Sequence, residues 1–187
     1  MNFIYISAEQ PTNIKILTFN EGVVYKNELN LYENWETSLL VIIPLRLGLN
    51  KVDETFFPQI KSILIHELSV GILGGKSNSA MYYIGYSSSS MIALDPHTTQ
   101  RSVEDMNEED KSTYHTNSPR LISLQNIDTT MAFWFYIKDS SEWETFINSI
   151  ENWKEEYPED YLIGIREKRE EINYDLVGEI DDDFEII

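Results

Sequence analysis

The sequence predicts an α+β domain built around a largely antiparallel sheet. Residues 38–43 form a continuous apolar run with the β-branched composition of a buried strand. Shorter strand patterns follow it, separated by Gly-rich and Ser-rich turns, and an amphipathic helix follows the last of them. Because strands and helices do not alternate regularly, we do not expect a parallel βαβ sheet.

Prolines delimit the first strand and the first helix. Pro44 ends the apolar run of the first strand, and residues 45–48 are expected to continue it into a turn. Pro58 fits the first turn of a helix, where its missing N–H costs nothing, and apolar residues recur at helical spacing after it. These patterns predict a short helix from Pro58 to about Glu67.

Three further strands are expected at residues 70–73, 81–86 and 91–94. The glycine pair 74–75 and the serine-rich residues 87–90 would form the turns between them. Consecutive strands joined by tight turns are typical of an antiparallel meander.

The last strand and the last helix are expected after residue 130. Aromatic and β-branched residues dominate residues 131–137, as in strands. Ser141 followed by Glu144 is a capping-box pattern, which marks a helix N-terminus. A stripe at 3.6-residue spacing predicts that one face of this helix packs in the core, through Trp143, Phe146, Ile147, Ile150 and Trp153.

Length, charge and composition exclude several classes of protein. The 187 residues can form one domain with a real core, and the chain has no cysteine for disulfides or thiolate metal sites. A net charge of −18 works against binding to nucleic acid or anionic lipid. No apolar run is long enough to cross a bilayer, and residues 1–10 lack a signal-peptide pattern. We therefore expect a cytoplasmic protein without a transmembrane segment or a nucleic-acid partner.

Acidity is concentrated at the end of the chain. Residues 151–187 contain four Lys and Arg against fourteen Asp and Glu, so they carry more than half of the net charge. We predict a domain over residues 1–165 and an acidic, flexible tail over residues 166–187. The apolar residues at its end, Phe184 to Ile187, suggest a docking peptide that adds to a partner's sheet edge; the alternative is a tail that folds back on its own domain.

The tripeptide Asp95-Pro96-His97 is the strongest candidate for chemistry. In an extended segment its first and third residues project to the same side, with Cα atoms roughly 6.6 Å apart. A carboxylate beside an imidazole forms the orienting half of a nucleophilic active site. Asp-Pro is also an ordinary turn or helix start with Asp95 as the cap, and spacing favours this second interpretation.

A phosphate-binding loop is a weaker candidate. Residues 74–77, Gly-Gly-Lys-Ser, match the end of such a loop, but position 70 is Val where the loop needs glycine. A strand is also expected after it, instead of the helix whose N-terminus would hold the phosphate. A hairpin turn explains these residues better.

The remaining histidines and serines give no strong signal. His66 and His115 have no partner at ligand spacing, so we predict no metal site. No G-x-S-x-G turn is present, and each serine that could act as a nucleophile beside His97 is better explained as a turn residue: Ser69, Ser77 and Ser79.

Four segments carry a family resemblance. In chain order they are LLVIIPLRLGLN from Leu39, SVGILGGKSNSAM from Ser69 with YYIGY after it, LDPHTTQR from Leu94, and TYHT from Thr113. They span about residues 35–138. Together they resemble the autophagins, the cysteine peptidases called autophagy-related protein four, and the acidic end resembles that family's motif for binding its ubiquitin-like partner.

The resemblance implies a fold, an activity and roles for single residues. The fold is that of a papain-like cysteine protease, of which this chain is the C-terminal sheet portion with flanking helices. The activity is that of an endopeptidase without cofactor, which cuts after the C-terminal glycine of a ubiquitin-like autophagy modifier and releases that modifier from phosphatidylethanolamine. His97 is implied as general base and Asp95 as its orienting carboxylate. Trp35 would lie beside the substrate's glycine tail, and Phe184 and Ile187 would anchor the partner.

The lack of cysteine is the main departure from the family, whose nucleophile is a cysteine thiolate at the start of an N-terminal helix. In one hypothesis the N-terminal helical part is missing, and a longer or two-chain enzyme supplies the cysteine. In the other, the chain is a non-catalytic module that binds the modifier through its sheet and tail. Either way we expect the chain alone to be inactive, and to aggregate or need a partner because aromatics such as Trp134 and Tyr136 are left partly uncovered.

Overall fold

The computed structural model describes residues 13–20, 22–28, 35–76, 79–99 and 115–170. Over these residues the elements are, in chain order, β1 (Ile14–Thr18), β2 (Val23–Tyr25), β3 (Ser38–Arg46), α1 (Phe57–Leu64), β4 (Ser69–Lys76), β5 (Ser79–Ser87), β6 (Ser90–Leu94), β7 (Arg120–Ser123), β8 (Thr130–Ile137), α2 (Ser140–Glu156) and β9 (Gly164–Arg166). The predicted α+β class is confirmed.

Seven of the described strands form one mixed sheet in the order β1-β3-β8-β4-β5-β6-β7. Only the β1–β3 pair among these described strands is parallel, and the other five neighbouring pairs are antiparallel. β4, β5 and β6 follow one another as the predicted meander, and β7, which was not predicted, pairs with β6 at its edge. A second, two-stranded sheet pairs β2 with β9 in parallel.

The core lies on one face of the large sheet. Alternate residues of β8, namely Met131, Phe133, Phe135 and Ile137, are buried on this face. The stripe on α2 packs there as predicted, with Phe146, Ile150 and Trp153 buried. Each fully buried aromatic or aliphatic side chain contributes on the order of 1.5–3 kcal/mol to stability.

The opposite face of the sheet carries apolar side chains that no described helix covers. Trp134 and Tyr136 of β8 are half-buried on this face, as the sequence predicts. On the edge strands, Ile16 and Leu121 are more than half exposed. Among the described residues, no helix is long and apolar enough to cross a bilayer.

The first strand extends past Pro44, because β3 continues to Arg46, where the sequence predicted the start of a turn. Ile42 directs its carbonyl toward the β1 side, where the N–H of Phe19 donates to it. Pro44 is two residues further and therefore directs its nitrogen to the same side, beyond the end of β1. Since no described strand lies there, the missing N–H costs no ladder bond.

The glycine pair 74–75 does not form the predicted turn. Both glycines lie in β4 and pair with Met81 and Ala80 of β5. Gly75 has φ +123°, and a Cβ there would lie 2.4 Å from the carbonyl oxygen of Ser79. Glycine is therefore required by the close strand pairing, and a phosphate-binding role has no support.

Helix ends also differ from the predictions. α1 ends at Leu64, before the predicted Glu67. Asp139, not Ser141, caps α2, because its carboxylate accepts from the backbone N–H groups of Ser141 and Glu142. The cap thus lies two residues before the predicted one, and Glu142 accepts from the N–H of Lys138, the residue that precedes the cap.

Residues just after residue 165 still contact the domain. Arg166 closes β9, the N–H of Asn27 donates to the carbonyl of Glu167, and Arg169 pairs with Glu28. The predicted division into residues 1–165 and 166–187 stays a prediction, because residues 171–187 lie outside the described part of the chain.

Candidate functional site

Asp95 and His97 form a closed turn at the end of β6. Asp95 Oδ1 accepts the backbone N–H of His97 at 2.9 Å and lies 2.8 Å from His97 Nδ1. The segment is therefore a turn capped by Asp95 and not an extended strand, as the spacing favoured. The same turn also brings the Asp95 carboxylate to the His97 imidazole. Asp95 is therefore both a turn cap and a hydrogen-bond partner of the ring.

The second carboxylate oxygen of Asp95 pairs with Arg120. Arg120 Nη2 lies 2.7 Å from Oδ2, and Arg120 is the first residue of β7, paired with Ala93 of β6. The Asp95 side chain is only 10% exposed between these two partners. Each oxygen of the carboxylate thus has its own donors.

These contacts favour the ionised carboxylate. The backbone N–H and then the ring of His97 hold the pKa of Asp95 below its usual value, and the charge of Arg120 acts in the same direction against partial burial. With the carboxylate ionised, the neutral imidazole carries its proton on Nδ1 and donates it to Oδ1. Nε2 is then left with a free lone pair, which is the arrangement of a general base.

A pocket of about 440 Å³ lies beside the pair. Asp95 and Arg120 line it together with Tyr82 of β5, the neighbouring loop residues and the segment from His115 to Pro119. The imidazole of His97 is about half exposed, so a reacting group can reach it from outside.

The structure does not bring Trp35 to this pair. Trp35 precedes β3, has φ +48° and packs half-buried against the core. β6 lies four strand spacings from β3, a distance of about 19 Å across the sheet. The strand pairing also places Leu94, next to Asp95, level with Pro44 near the C-terminal end of β3, whereas Trp35 lies before its N-terminal end. The role of Trp35 beside the substrate stays a prediction from the resemblance.

The other candidates have separate surroundings. His66 Nε2 lies 2.8 Å from Ser149 Oγ, and its Nδ1 accepts the N–H of Leu68. Ser69 Oγ accepts the N–H of Gly71, as a turn serine does. Among the described residues, His97 has Asp95 as its hydrogen-bond partner, so neither Ser69 nor Ser79 forms a serine–histidine pair with it. Three candidates lie outside the described residues: Ser77, Phe184 and Ile187.

Sequence reasoning missed Arg120. It stands alone between Pro119 and an apolar pair, 25 positions after Asp95, and no spacing rule joins the two. Only the β6–β7 pairing brings the guanidinium to the carboxylate. The ladder was itself not predicted, because β7 has four residues.

Comparison with known proteins identifies the family. The family profile described as the peptidase C54 catalytic domain matches residues 3–149, which is most of the chain. This chain belongs to the peptidase C54 family. The predicted resemblance to the cysteine peptidases of autophagy is thereby confirmed.

Individual relatives agree with this assignment. Cysteine protease ATG4 of Saccharomyces cerevisiae is 31% identical over 169 residues, which are 89% of this chain and 32% of the yeast protein. Cysteine protease ATG4A of Mus musculus is 35% identical over 116 residues, 60% of this chain and 29% of the mouse protein. ATG4A of Bos taurus is 34% identical over 149 residues, 78% of this chain and 37% of the bovine protein. The chain therefore spans about a third of the length of the relatives it matches.

Proposed function

We propose that His97 is the general base of a cysteine protease centre and that Asp95 orients it. The observation that carries the proposal is the hydrogen bond between Asp95 Oδ1 and His97 Nδ1, in a chain of the peptidase C54 family. An ionised carboxylate at Nδ1 leaves Nε2 able to take a proton, and stabilises the imidazolium that results.

The nucleophile in this proposal comes from outside the 187 residues, because they contain no cysteine. The thiol belongs either to a further part of a longer chain or to a second chain. The thiolate is the reactive form of cysteine, and a neighbouring imidazole promotes its formation. The half-exposed His97 ring is open to such an approach.

The reaction then follows from the proton positions. Nε2 of His97 takes the thiol proton, and the thiolate attacks the carbonyl carbon of the scissile amide. The imidazolium gives the proton to the leaving nitrogen, and the carbonyl remains bound to sulfur as a thioester. Water, deprotonated by Nε2, attacks the thioester, and the thiol is restored.

The substrate in this proposal is the ubiquitin-like autophagy modifier, cut after its C-terminal glycine. The names of the relatives and the four matching segments support this assignment. In the soluble precursor the leaving group is the nitrogen of the C-terminal extension, and in the lipid-conjugated form it is the ethanolamine nitrogen of the lipid. Both bonds are amides, so the same steps apply. We place this enzyme in the cytoplasm, where both forms are accessible.

Cleavage of a modifier that carries a C-terminal extension tests the proposal. The chain is joined to, or co-expressed with, the cysteine-bearing N-terminal part of a peptidase C54 protease, and the shortened product is followed by electrophoresis. We expect His97→Ala to reduce the rate by on the order of 100-fold or more, because general base catalysis contributes this much. Asp53→Asn changes a turn residue that does not line the pocket beside Asp95 and serves as the matched control. Equal rates for both variants would overturn the role of His97.

The absence of cysteine supports a second candidate function, a binding module that engages the modifier without cutting it. In this function the acidic end of the chain would bind the modifier, with Phe184 and Ile187 as apolar anchors. Calorimetry with the modifier tests this function. We expect Phe184→Ala with Ile187→Ala to abolish binding, and replacing Asp181 by Asn instead to weaken it only slightly. Unchanged affinity of the double variant would exclude the tail as the binding element.

A further inference from the structure

We propose that Arg120 is a positioning residue that sets the orientation and the charge of Asp95 for its work on His97. This inference rests on the proposed function of His97 and extends it to a residue on a different strand. The contact that carries it is the ion pair between Arg120 Nη2 and Asp95 Oδ2 at 2.7 Å.

The division of the two carboxylate oxygens is the first argument. Oδ1 accepts both hydrogen bonds from His97, and Oδ2 is occupied by the guanidinium. A carboxylate held at only one oxygen can rotate about its Cβ–Cγ bond, since this terminal torsion is broad. With Arg120 on Oδ2, rotation would break a charge-assisted bond, so Oδ1 stays directed at the imidazole.

The backbone anchors Arg120 firmly although its side chain is 60% exposed. Arg120 pairs with Ala93 in the β6–β7 ladder, two residues before Asp95. The guanidinium therefore starts from a fixed backbone position beside the turn. An ordinary exposed ion pair contributes little stability, about 0–1 kcal/mol, so the importance of this one lies in what it orients.

The charge of Arg120 is the second argument. Asp95 must be ionised to accept the Nδ1 proton and to stabilise the imidazolium, and a cation at Oδ2 favours that state. The other titratable side chains around the pocket are Tyr82 on β5 and His115 before β7. Neither carries a permanent positive charge, so Arg120 is the steady cation among the described residues that line this pocket.

The first test measures the titration of the Asp95 carboxyl by ¹³C NMR in the intact chain, without any cysteine partner. We expect Arg120→Gln to raise the Asp95 pKa relative to the unaltered chain, and Arg120→Lys to restore most of the difference. Arg166→Gln is the matched control, because Arg166 is 58% exposed and also pairs with a carboxylate, that of Glu170. An Asp95 titration that is the same in Arg120→Gln and Arg166→Gln would overturn the inference. Should Arg120→Gln fail to fold, Arg120→Met takes its place, because methionine keeps an unbranched apolar stem and also removes the charge from Oδ2.

The second test uses cleavage by the enzyme assembled with its cysteine-bearing part. We expect Arg120→Gln to lower kcat about 10-fold to 100-fold with little change in KM, as for a misplaced catalytic group. The acidic limb of its pH–rate profile should also move to higher pH, since Asp95 is protonated more readily, and Arg120→Lys should move it back. An unchanged pH–rate profile of Arg120→Gln would overturn the role of Arg120. If instead His97→Ala cleaves as fast as the unaltered enzyme, the proposed function is wrong, and the NMR result on Asp95 and Arg120 still stands.

Discussion

Asp95 Oδ1 accepts two hydrogen bonds from His97, one from the backbone N–H at 2.9 Å and one from ring Nδ1 at 2.8 Å. One oxygen atom thus closes the turn and directs the imidazole. Because both bonds lie within three consecutive residues, the proposed base and its proposed orienting group come together locally, at the end of β6. The pair can therefore form in a chain that holds no cysteine.

Replacing Asp95 by Asn should strongly reduce cleavage by the assembled enzyme. Asn has one acceptor oxygen, whereas Asp95 faces donors on both sides, His97 and Arg120. The amide must direct its NH₂ at one of them. Either the imidazole is no longer held with its proton on Nδ1, or the side chain at position 95 loses its contact with Arg120. We expect a rate loss on the order of 10²-fold to 10⁴-fold.

The matched control for this replacement is Asp53→Asn. Asp53 also caps a turn, where its carboxylate accepts from the N–H and the hydroxyl of Thr55. It does not line the pocket beside Asp95. A rate for Asp95→Asn within threefold of that for Asp53→Asn would contradict the orienting role.

The cap of α2 gives a prediction about stability. Asp139→Ala should lower the free energy of unfolding by about 0.5–2 kcal/mol, because its carboxylate accepts from two backbone N–H groups. Ser141→Ala should change it by less than about 0.5 kcal/mol, since Ser141 is not the cap. Urea unfolding followed by circular dichroism measures both. A larger loss for Ser141→Ala would restore the capping box that the sequence suggests.

Phe146 tests the packing of α2 on the sheet. It is fully buried, and its ring centroid lies 4.8 Å from that of Phe135 on β8. Phe146→Ala should destabilise the domain by about 3–5 kcal/mol, through lost burial and a cavity. Leu49→Ala is the control, because Leu49 is 82% exposed. Similar urea midpoints for the two variants would contradict the described core.

His66 should make stability depend on pH. Burial lowers its pKa below the usual value, with a smaller opposite effect of Glu67, and Nδ1 must stay unprotonated to accept the N–H of Leu68. The unfolded chain therefore binds a proton more readily as pH falls below about 6.5. The contribution is fully present above that pH and is lost as pH falls toward the folded pKa.

Urea unfolding at pH 7.5 and pH 5.5 measures the effect of His66. The free energy of unfolding of the unaltered chain should drop between the two values by more than that of His66→Gln, which cannot titrate. Other groups titrate alike in both chains, so the difference isolates His66. An equal drop in the two chains would show that His66 is not held neutral.

Strongly patterned elements could be predicted from the sequence, and elements that depend on tertiary pairing could not. The continuous apolar run of β3 and the periodic apolar stripe of α2 are strong local signals, so both elements and the residues that they bury were predicted correctly. Pro44 lies inside the strand, because no described strand pairs with that part of its edge and the missing N–H costs no ladder bond. The short edge strands β1, β7 and β9 have no such pattern and form because a neighbour is already in place.

In the candidate site, too, the local contact could be predicted from the sequence and the contact that depends on strand pairing could not. Asp95 and His97 are separated by one residue, so their contact could be anticipated from chemistry and spacing. Arg120 reaches the carboxylate only through the β6–β7 ladder, and no local rule predicts a contact across 25 positions. The resemblance suggested a role for Trp35, but the sheet order separates that residue from the pair.

The tautomer of His97 tests the central claim most directly. Two-bond ¹H–¹⁵N correlation spectra of the intact chain at pH 8 show which ring nitrogen carries the proton. We predict that Nδ1 is protonated and Nε2 is not, and that Asp95→Ala makes Nε2–H a major form. A spectrum in which Nε2 of the unaltered chain carries the proton would contradict the assignment of His97 as a base oriented by Asp95.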